Sequence, residues 1–244
     1  MKNTYVCDHI VNYSEIDTAY RMRLDSVISA FQTVTLYHST EMQVDADSLA
    51  KNSNGFWVLC KSRFAINRLP KIGETLTMET WPTTVTPVRF MRDYNFWVNG
   101  EIAVSGRSEW CVMDIDSRTV RKTSTVCYPH EMEHRTDRSA AGDFSRRRET
   151  VEDSDLHHVH TSRFVDVDPN GHTNNVAYVR MALDCFTPEE FTSLPLGSFE
   201  IYYLSQSYFG DELRLYRKKT DYGYYLEGTC GEKPAFVATL TVKA

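Results

Sequence analysis

Between positions 168 and 174 the chain reads Asp168-Pro169-Asn170-Gly171-His172-Thr173-Asn174. A carboxylate, a carboxamide and an imidazole recur at every second position, and in extended backbone residues i, i+2 and i+4 project to one side. Pro169 and Gly171 shape the backbone between them and add no chemistry. The segment runs into an apolar stretch with helical spacing. Asn174 or Asn175 therefore lies at a helix N-terminus, where unpaired N–H groups favour negative charge. These parts suit acyl transfer. An attacking water must lose a proton, and imidazole, which titrates near about 6.5 when unperturbed, is suited to take it. The developing oxyanion needs donors, each worth roughly 2.7–4 kcal/mol when well aimed. The same string is also a strong turn sequence, in which Asp168 or Asn170 only closes the turn and His172 is an ordinary surface residue.

Strands and two helices must position this segment. Alternating patterns mark strands at 58–66, 88–98, 102–113, 199–208, 212–219, 224–229 and 235–242. Asn99-Gly100 reads as a tight hairpin turn, and Gly223 and Gly231 mark later turns. Leu24, Val27, Ile28, Phe31 and Val34 recur at three- and four-residue steps, predicting a helix over 24–41 opened by Asp25 or Ser26. Val176, Val179, Leu183 and Phe186 predict a second over 175–186, capped by Asn174 and stopped before Pro188. The polar stretch 131–153, with Arg146-Arg147-Arg148, reads as a linker between units at 1–130 and 154–244.

The two units match each other weakly. Ser14-Glu15-Ile16-Asp17 resembles Val165-Asp166-Val167-Asp168 at an offset of 151 residues. Ile72-Gly73-Glu74-Thr75-Leu76 resembles Phe209-Gly210-Asp211-Glu212-Leu213 at an offset of 137, so about 14 residues are inserted after the first helix, and the polar stretch 43–55 fits. Internal duplication accounts for this. At the 151-residue offset, Ala19 stands opposite Asn170 and Arg21 opposite His172, so only the second copy carries the amide and the base.

Composition narrows the class. A net charge of −6 argues against broad nucleic-acid binding. No apolar run approaches the ~20 residues of a membrane span. The N-terminus lacks a signal pattern, so a cytoplasmic protein is expected. The six cysteines form no CxxC pair and read as reduced, mostly buried thiols. Neither a metal site nor a cofactor is expected.

The run from Asp166 to Tyr178 resembles the signature of plant and bacterial acyl-acyl-carrier-protein (acyl-ACP) thioesterases. The order of Tyr13 to Asp17, the first helix with Gln32 and His38, Phe56-Trp57-Val58, Pro70-Lys71-Ile72-Gly73-Glu74, Thr80-Trp81 and Arg107-Ser108-Glu109-Trp110 agrees with it. The resemblance implies an α+β double hotdog, with two tandem helix-in-sheet units. It implies hydrolysis of fatty acyl-ACP to free acid and holo-ACP, with a site at Asp168, Asn170 and His172. It also implies that the N-terminal hotdog largely sets chain length, with helix 24–41 and its facing strands as the place to look. Members of the family usually carry a Glu three residues after a Tyr in the following strand. Counted from Tyr203 that position is Gln206, which orients a water or bonds His172 but cannot act as a base. The mechanism expected here has His172, oriented by Asp168, deprotonating a water positioned by Gln206, while Asn170 and the N–H groups near Asn174 hold the oxyanion. A covalent route through Asp168 stays open. An acidic carrier protein calls for a basic patch, for which Arg146, Arg147 and Arg148 are candidates. Rival readings are an acyl-CoA thioesterase, a hotdog dehydratase and a non-catalytic acyl-binding module. A homodimer is compatible with each.

Overall fold

The computed structural model describes residues 3–131, 135, 137–145 and 147–243. The expected docking residue Arg146 lies outside them. In chain order the elements are β1 (Tyr5–Ile10), α1 (Leu24–Glu41), α2 (Ala46–Ser53), β2 (Gly55–Ile66), β3 (Thr75–Val85), β4 (Phe90–Val98), β5 (Glu101–Asp114), β6 (Leu156–Thr161), α3 (Asn175–Leu183), α4 (Pro188–Ser193), β7 (Leu196–Tyr203), β8 (Glu212–Thr220), β9 (Gly223–Cys230) and β10 (Lys233–Val242).

The apolar stripe of α1 makes it a core helix, because Leu24, Val27, Ile28, Phe31 and Val34 are all buried. The close approach of the Phe31 ring to the sheet requires Gly106 on β5, where a Cβ would lie 2.1 Å from the ring. The helix spans the expected 24–41, but neither Asp25 nor Ser26 is its cap. Arg23 is the cap residue and makes no side-chain cap bond, while Asp25 sits in the first turn and pairs with Arg23 at 2.9 Å. Asn174 caps α3 as expected, accepting from Val176 N at 2.8 Å. α3 ends at Leu183, and Pro188 opens the separate short helix α4. Asn99 and Gly100 both take positive φ, 54° and 81°, as a two-residue hairpin turn demands.

All ten strands join one antiparallel sheet in the order β1-β3-β4-β5-β2-β7-β10-β9-β8-β6. Read outward from the β2–β7 junction, the two halves have matching order, the outcome of a duplication fused along one edge. The junction pairs Lys61 with Tyr202 through Ala65 with Ser198. At its centre Arg63 bonds Glu200 at 2.8 Å. α1 and α3 pack against one another on the inner face, so each half is a helix wrapped by antiparallel strands and the whole is a double hotdog.

The polar connector between the halves packs on the sheet. Ser139 N donates to Asp93 Oδ2 at 2.8 Å, Ser145 N donates to Glu200, and Arg63 Nε donates to the Ala141 carbonyl at 2.7 Å. Asp93 meanwhile pairs with the buried Arg107 at 2.8 Å. The connector thus seals charged groups that a bare sheet face would leave to water.

Candidate functional site

The catalytic candidates stand on a loop whose shape is fixed by hydrogen bonds before any chemistry is considered. After β6, Asp166 closes a single turn, accepting from Arg163 N and from His160 Nε2, both at 2.9 Å. Its carbonyl then takes the Asn174 N–H at 2.7 Å, holding the start of α3. Within this frame Asp168 Oδ1 accepts from Asn170 N at 2.8 Å and His172 N at 3.2 Å, and Gly171 turns the chain at φ 79°. One carboxylate oxygen therefore performs the turn-closing role that the sequence also allowed. The other, Oδ2, meets only the Asn170 side-chain amide, at 3.5 Å, and remains free for chemistry.

The expected contact between the Asp168 carboxylate and the His172 imidazole is replaced by a different one. Asp168 holds the backbone of His172, while the imidazole packs edge-on against Tyr208, ring centroids 5.2 Å apart. Its nitrogens hydrogen-bond to no described residue. Gln206 lies beyond the end of β7, in a loop, because the strand expected to run to 208 stops at Tyr203. Its Oε1 accepts weakly from Tyr208 Oη at 3.4 Å. The helix start differs from expectation too. The Asn174 N–H is taken by Asp166 and the Val176 N–H by the Asn174 side chain, leaving the Asn175 N–H as the first-turn donor without a described partner.

Asp168, Asn170, His172 and Gln206 all line one cleft of about 780 Å³. Asn175, Tyr178 and Tyr203 complete that wall, and the opposite wall comes from the N-terminal half, including Phe56, Trp57, Trp110 and Ile115. A polar wall with an imidazole, a carboxylate and amide groups thus faces a largely apolar one across a space sized for a small organic substrate. Arg118, stacked 5.3 Å from the Phe56 ring, is the cation among the lining residues. Arg147 instead stacks on Tyr222 at 4.1 Å, and neither it nor Arg148 lines the cleft.

Two features escaped the sequence reading. Tyr203 served there only as a counting point, yet its hydroxyl is buried in the cleft wall without a hydrogen-bond partner among the described residues, and burial pushes its phenol pKa up. A buried hydroxyl also costs free energy unless something bonds it. The second is a buried hydroxyl network. Thr173 Oγ1 meets Ser207 Oγ at 2.7 Å and Ser162 Oγ at 3.2 Å, and Tyr178 Oη bonds Ser207 Oγ at 2.9 Å and accepts from Ser207 N at 3.0 Å. It ties the loop bearing Gln206 to the loop bearing His172 and to α3. Ser162 and Thr173 each stand between polar neighbours in the sequence and Ser207 lies between Gln206 and Tyr208, so no local signal marked them as buried. Among the described residues no group of three or more His, Cys, Asp or Glu is placed to hold a metal.

Fold and cleft together define a double-hotdog protein with its polar site in the second unit. Family profiles for the acyl-ACP thioesterase N-terminal and C-terminal domains match residues 2–127 and 148–234. The chain belongs to the acyl-ACP thioesterase family. Among curated proteins it is similar to a chloroplastic palmitoyl-acyl carrier protein thioesterase of Cuphea hookeriana, 24% identical over 203 residues, covering 78% of this chain and 48% of that protein. It is also similar to the chloroplastic oleoyl-acyl carrier protein thioesterase 1 of Arabidopsis thaliana, 22% identical over 200 residues, covering 74% of this chain and 54% of that one. The chain spans about half the length of these relatives. In fold it is similar to an acyl-ACP thioesterase from Bacteroides thetaiotaomicron, with TM-score 0.87, 19% identity and coverage of 99% and 98% of the two chains. It is likewise similar to the 12:0-ACP thioesterase from Umbellularia californica, with TM-score 0.83, 18% identity and coverage of 100% and 98%. No helix among the described residues is long and apolar enough to cross a membrane.

Proposed function

We propose that this protein hydrolyses the thioester of fatty acyl-ACP, releasing free acid and holo-ACP. The observation that carries the reading is the convergence of the free Asp168 Oδ2, Asn170, His172 and Gln206 in one cleft whose far wall is apolar. His172 takes a proton from a water positioned with the help of Gln206. The water oxygen attacks the thioester carbonyl, the oxyanion is held by donors from Asn170, the Asn175 N–H and Tyr203, and the carbon–sulfur bond breaks as the thiol leaves with a proton. Asp168 keeps the 168–172 turn closed by holding the backbone of Asn170 and His172.

The unpaired Oδ2 also favours a second route, in which Asp168 attacks directly and the acyl-aspartate is then hydrolysed. A single turnover in isotope-labelled water tests the covalent route. Label in the Asp168 carboxylate establishes it, with water attacking the aspartyl carbonyl, whereas label only in the released acid fits water attack at the acyl carbon by either route, and mass spectrometry of the quenched enzyme for an acyl adduct at Asp168 then tells the two apart. His172→Ala retaining near-full activity would overturn both the base assignment and the water-attack mechanism.

The acyl chain lies along the N-terminal wall, where Trp57 and Trp110 supply apolar surface, and that half sets chain length. We assign residues 1–130 to the specificity unit, 131–153 to the connector and 154–244 to the catalytic unit. Matched acyl-ACP and acyl-CoA substrates test carrier selectivity, and a higher kcat/KM on CoA would favour the rival thioesterase. A cytoplasmic setting belongs to this reading. The six thiols are all free, which suits a reducing compartment.

A further inference from the structure

A second cavity, of about 170 Å³, lies in the N-terminal half between α1 and the sheet, and it shares Ala46, Trp57 and Trp110 with the catalytic cleft. Its walls are largely aromatic and aliphatic, with Trp57, Phe90, Trp110 and Tyr128 prominent. Such a space suits hydrocarbon, yet two of its lining residues do not.

Arg92 is 7% exposed and lines this cavity. Its guanidinium bonds His38 Nδ1 at 2.9 Å and Thr80 Oγ1 at 3.2 Å, and approaches Met42 Sδ at 3.9 Å. It pairs with no carboxylate among the described residues. The deeply buried Arg107, by contrast, is matched to Asp93 at 2.8 Å. A buried cation among neutral acceptors is an unfinished arrangement, because desolvation of the charge is offset only by an anion or by strong acceptors. On the facing helix Gln32 also lines the cavity, and its Nε2 is buried without a hydrogen-bond partner among the described residues. Orphaned buried donors are uncommon in native proteins and call for an explanation. Here a cationic donor and an amide donor border the same apolar cavity.

We propose that this cavity is a subsite for an acyl chain that carries an acceptor oxygen away from the thioester, as a hydroxyl, keto or carboxylate group bonded by Arg92 and Gln32. The proposal rests on the thioesterase reading for how the chain arrives, but the subsite itself is defined by the two donors. A saturated chain reaching this depth leaves Gln32 Nε2 without an acceptor and the Arg92 charge without an anion, whereas an oxygenated chain supplies an acceptor to both while its methylenes cover the aromatic wall. A site built to bond an oxygen discriminates strongly against the analogue that lacks it.

Two measurements on the full chain test this. In the first, ACP is loaded with plain chains and with chains of equal length bearing a hydroxyl, keto or terminal carboxylate group moved from mid-chain to the end. At the best position the oxygenated substrate is expected to show at least about tenfold higher kcat/KM than the plain one. Gln32→Leu is expected to erase most of that ratio, and Arg92→Met to erase it further. In the second, the corresponding free acids are titrated into His172→Ala, with tryptophan fluorescence reporting at Trp57 and Trp110. This binding readout stands even if no acyl-ACP is hydrolysed, so failure of the thioesterase reading and failure of the subsite are told apart. Preference for the carboxylate that vanishes in Arg92→Met assigns the charge recognition to Arg92. Preference for the hydroxyl or keto group that vanishes in Gln32→Leu assigns recognition to the amide. Plain acids binding as tightly as every oxygenated one, with no change in Gln32→Leu, would overturn the proposal.

Discussion

Residues 13–23 and 164–174 are two loops of one chain built to the same plan, bond for bond. Each begins with a single helical turn after the first strand of its half, closed by an acid that also bonds a histidine: His9 with Glu15, and His160 with Asp166, both at 2.9 Å. Each then carries an aspartate whose Oδ1 accepts two backbone N–H groups, at 2.8 and 3.0 Å for Asp17 and at 2.8 and 3.2 Å for Asp168. Even the left-handed residue recurs, Tyr20 at φ 60° against Gly171 at 79°. The loops part at the second carboxylate oxygen. Asp17 Oδ2 is neutralised by the Arg21 guanidinium at 3.1 Å, whereas Asp168 Oδ2 meets only a distant amide. One geometry thus occurs twice, with its second carboxylate oxygen ion-paired in the first loop and left open in the second. Backbone closure alone does not make a site, and freeing one oxygen while exchanging arginine for imidazole is what separates the two.

The largest expected effect comes from rewriting the second loop as the first. Asn170→Ala/His172→Arg reproduces Ala19 and Arg21, and the new guanidinium is expected to pair with Asp168 as Arg21 pairs with Asp17. Loss of the base alone is worth roughly 10²–10⁴ in rate, so kcat on acyl-ACP is expected to fall by at least about a thousandfold with the melting temperature nearly unchanged. The control is Arg21→Ala, expected to leave kcat within about twofold and to cost about 1 kcal/mol or less, since its ion pair is partly solvated. Equal losses of activity in the two variants would break the comparison.

A second contrast lies beneath the loops. Where the C-terminal half has Thr173, Tyr178 and Ser207 bonded together, the matching positions at the same offsets hold Met22, Val27 and Pro70. The apolar set packs, while the polar set also holds the loop that carries Gln206. Tyr178→Phe removes the partner of the Ser207 N–H and is expected to destabilise the fold by about 1–3 kcal/mol. It is also expected to lower kcat about tenfold by releasing the Gln206 loop. A fall in stability without a fall in kcat would mean that the network only supports the fold. Gln206→Ala, which removes one exposed, weakly held amide, is expected to lower kcat a few-fold, and a larger loss would promote Gln206 from positioning to direct participation.

How much of this was legible in the residues depends on how local the signal is. The α1 stripe, the Asn174 cap and the Asn99-Gly100 turn were readable because propensity and tertiary packing agree there. The loop pair was readable because duplication left Glu15-Ile16-Asp17 beside Asp166-Val167-Asp168. What was not readable depended on long-range geometry. Tyr203 ends its strand early, placing Gln206 in a loop. The 43–55 stretch read as a polar insertion, yet it folds into α2, capped by Asp45, and supplies Ala46, Asp47 and Ala50 to the cleft wall. The polar connector looked like a solvated linker because nothing in its composition reveals that buried Asp93, Arg107 and Glu200 await it on the sheet.

The smallest expected effect concerns the turns that face these loops from the next strand. In both halves a glycine at positive φ, Gly73 at 79° and Gly210 at 88°, precedes an acid that accepts a backbone N–H: Lys71 N to Glu74 at 2.7 Å and Tyr208 N to Asp211 at 2.8 Å. Only Glu74 gains an arginine, with Arg68 bonding both its oxygens at 2.8 and 3.1 Å. Those bonds, with the Lys71 N–H, hold the Glu74 carboxyl below the usual carboxylate range. A carboxylate whose folded pKa is depressed stabilises the protein above its unfolded value, and that contribution is lost as pH falls through the folded one. Both partners are partly exposed, so the contribution at neutral pH is about 1 kcal/mol at most. Melting curves of Glu74→Gln and the unaltered chain are therefore expected to differ slightly at pH 7. The curves are expected to start converging below about pH 4, where the unfolded carboxylate protonates first, and to meet once the pH is below the lower folded value. A gap that persists or widens in acid would assign the Glu74 effect to packing of the turn, and the two turns would then be energetically alike despite the extra arginine.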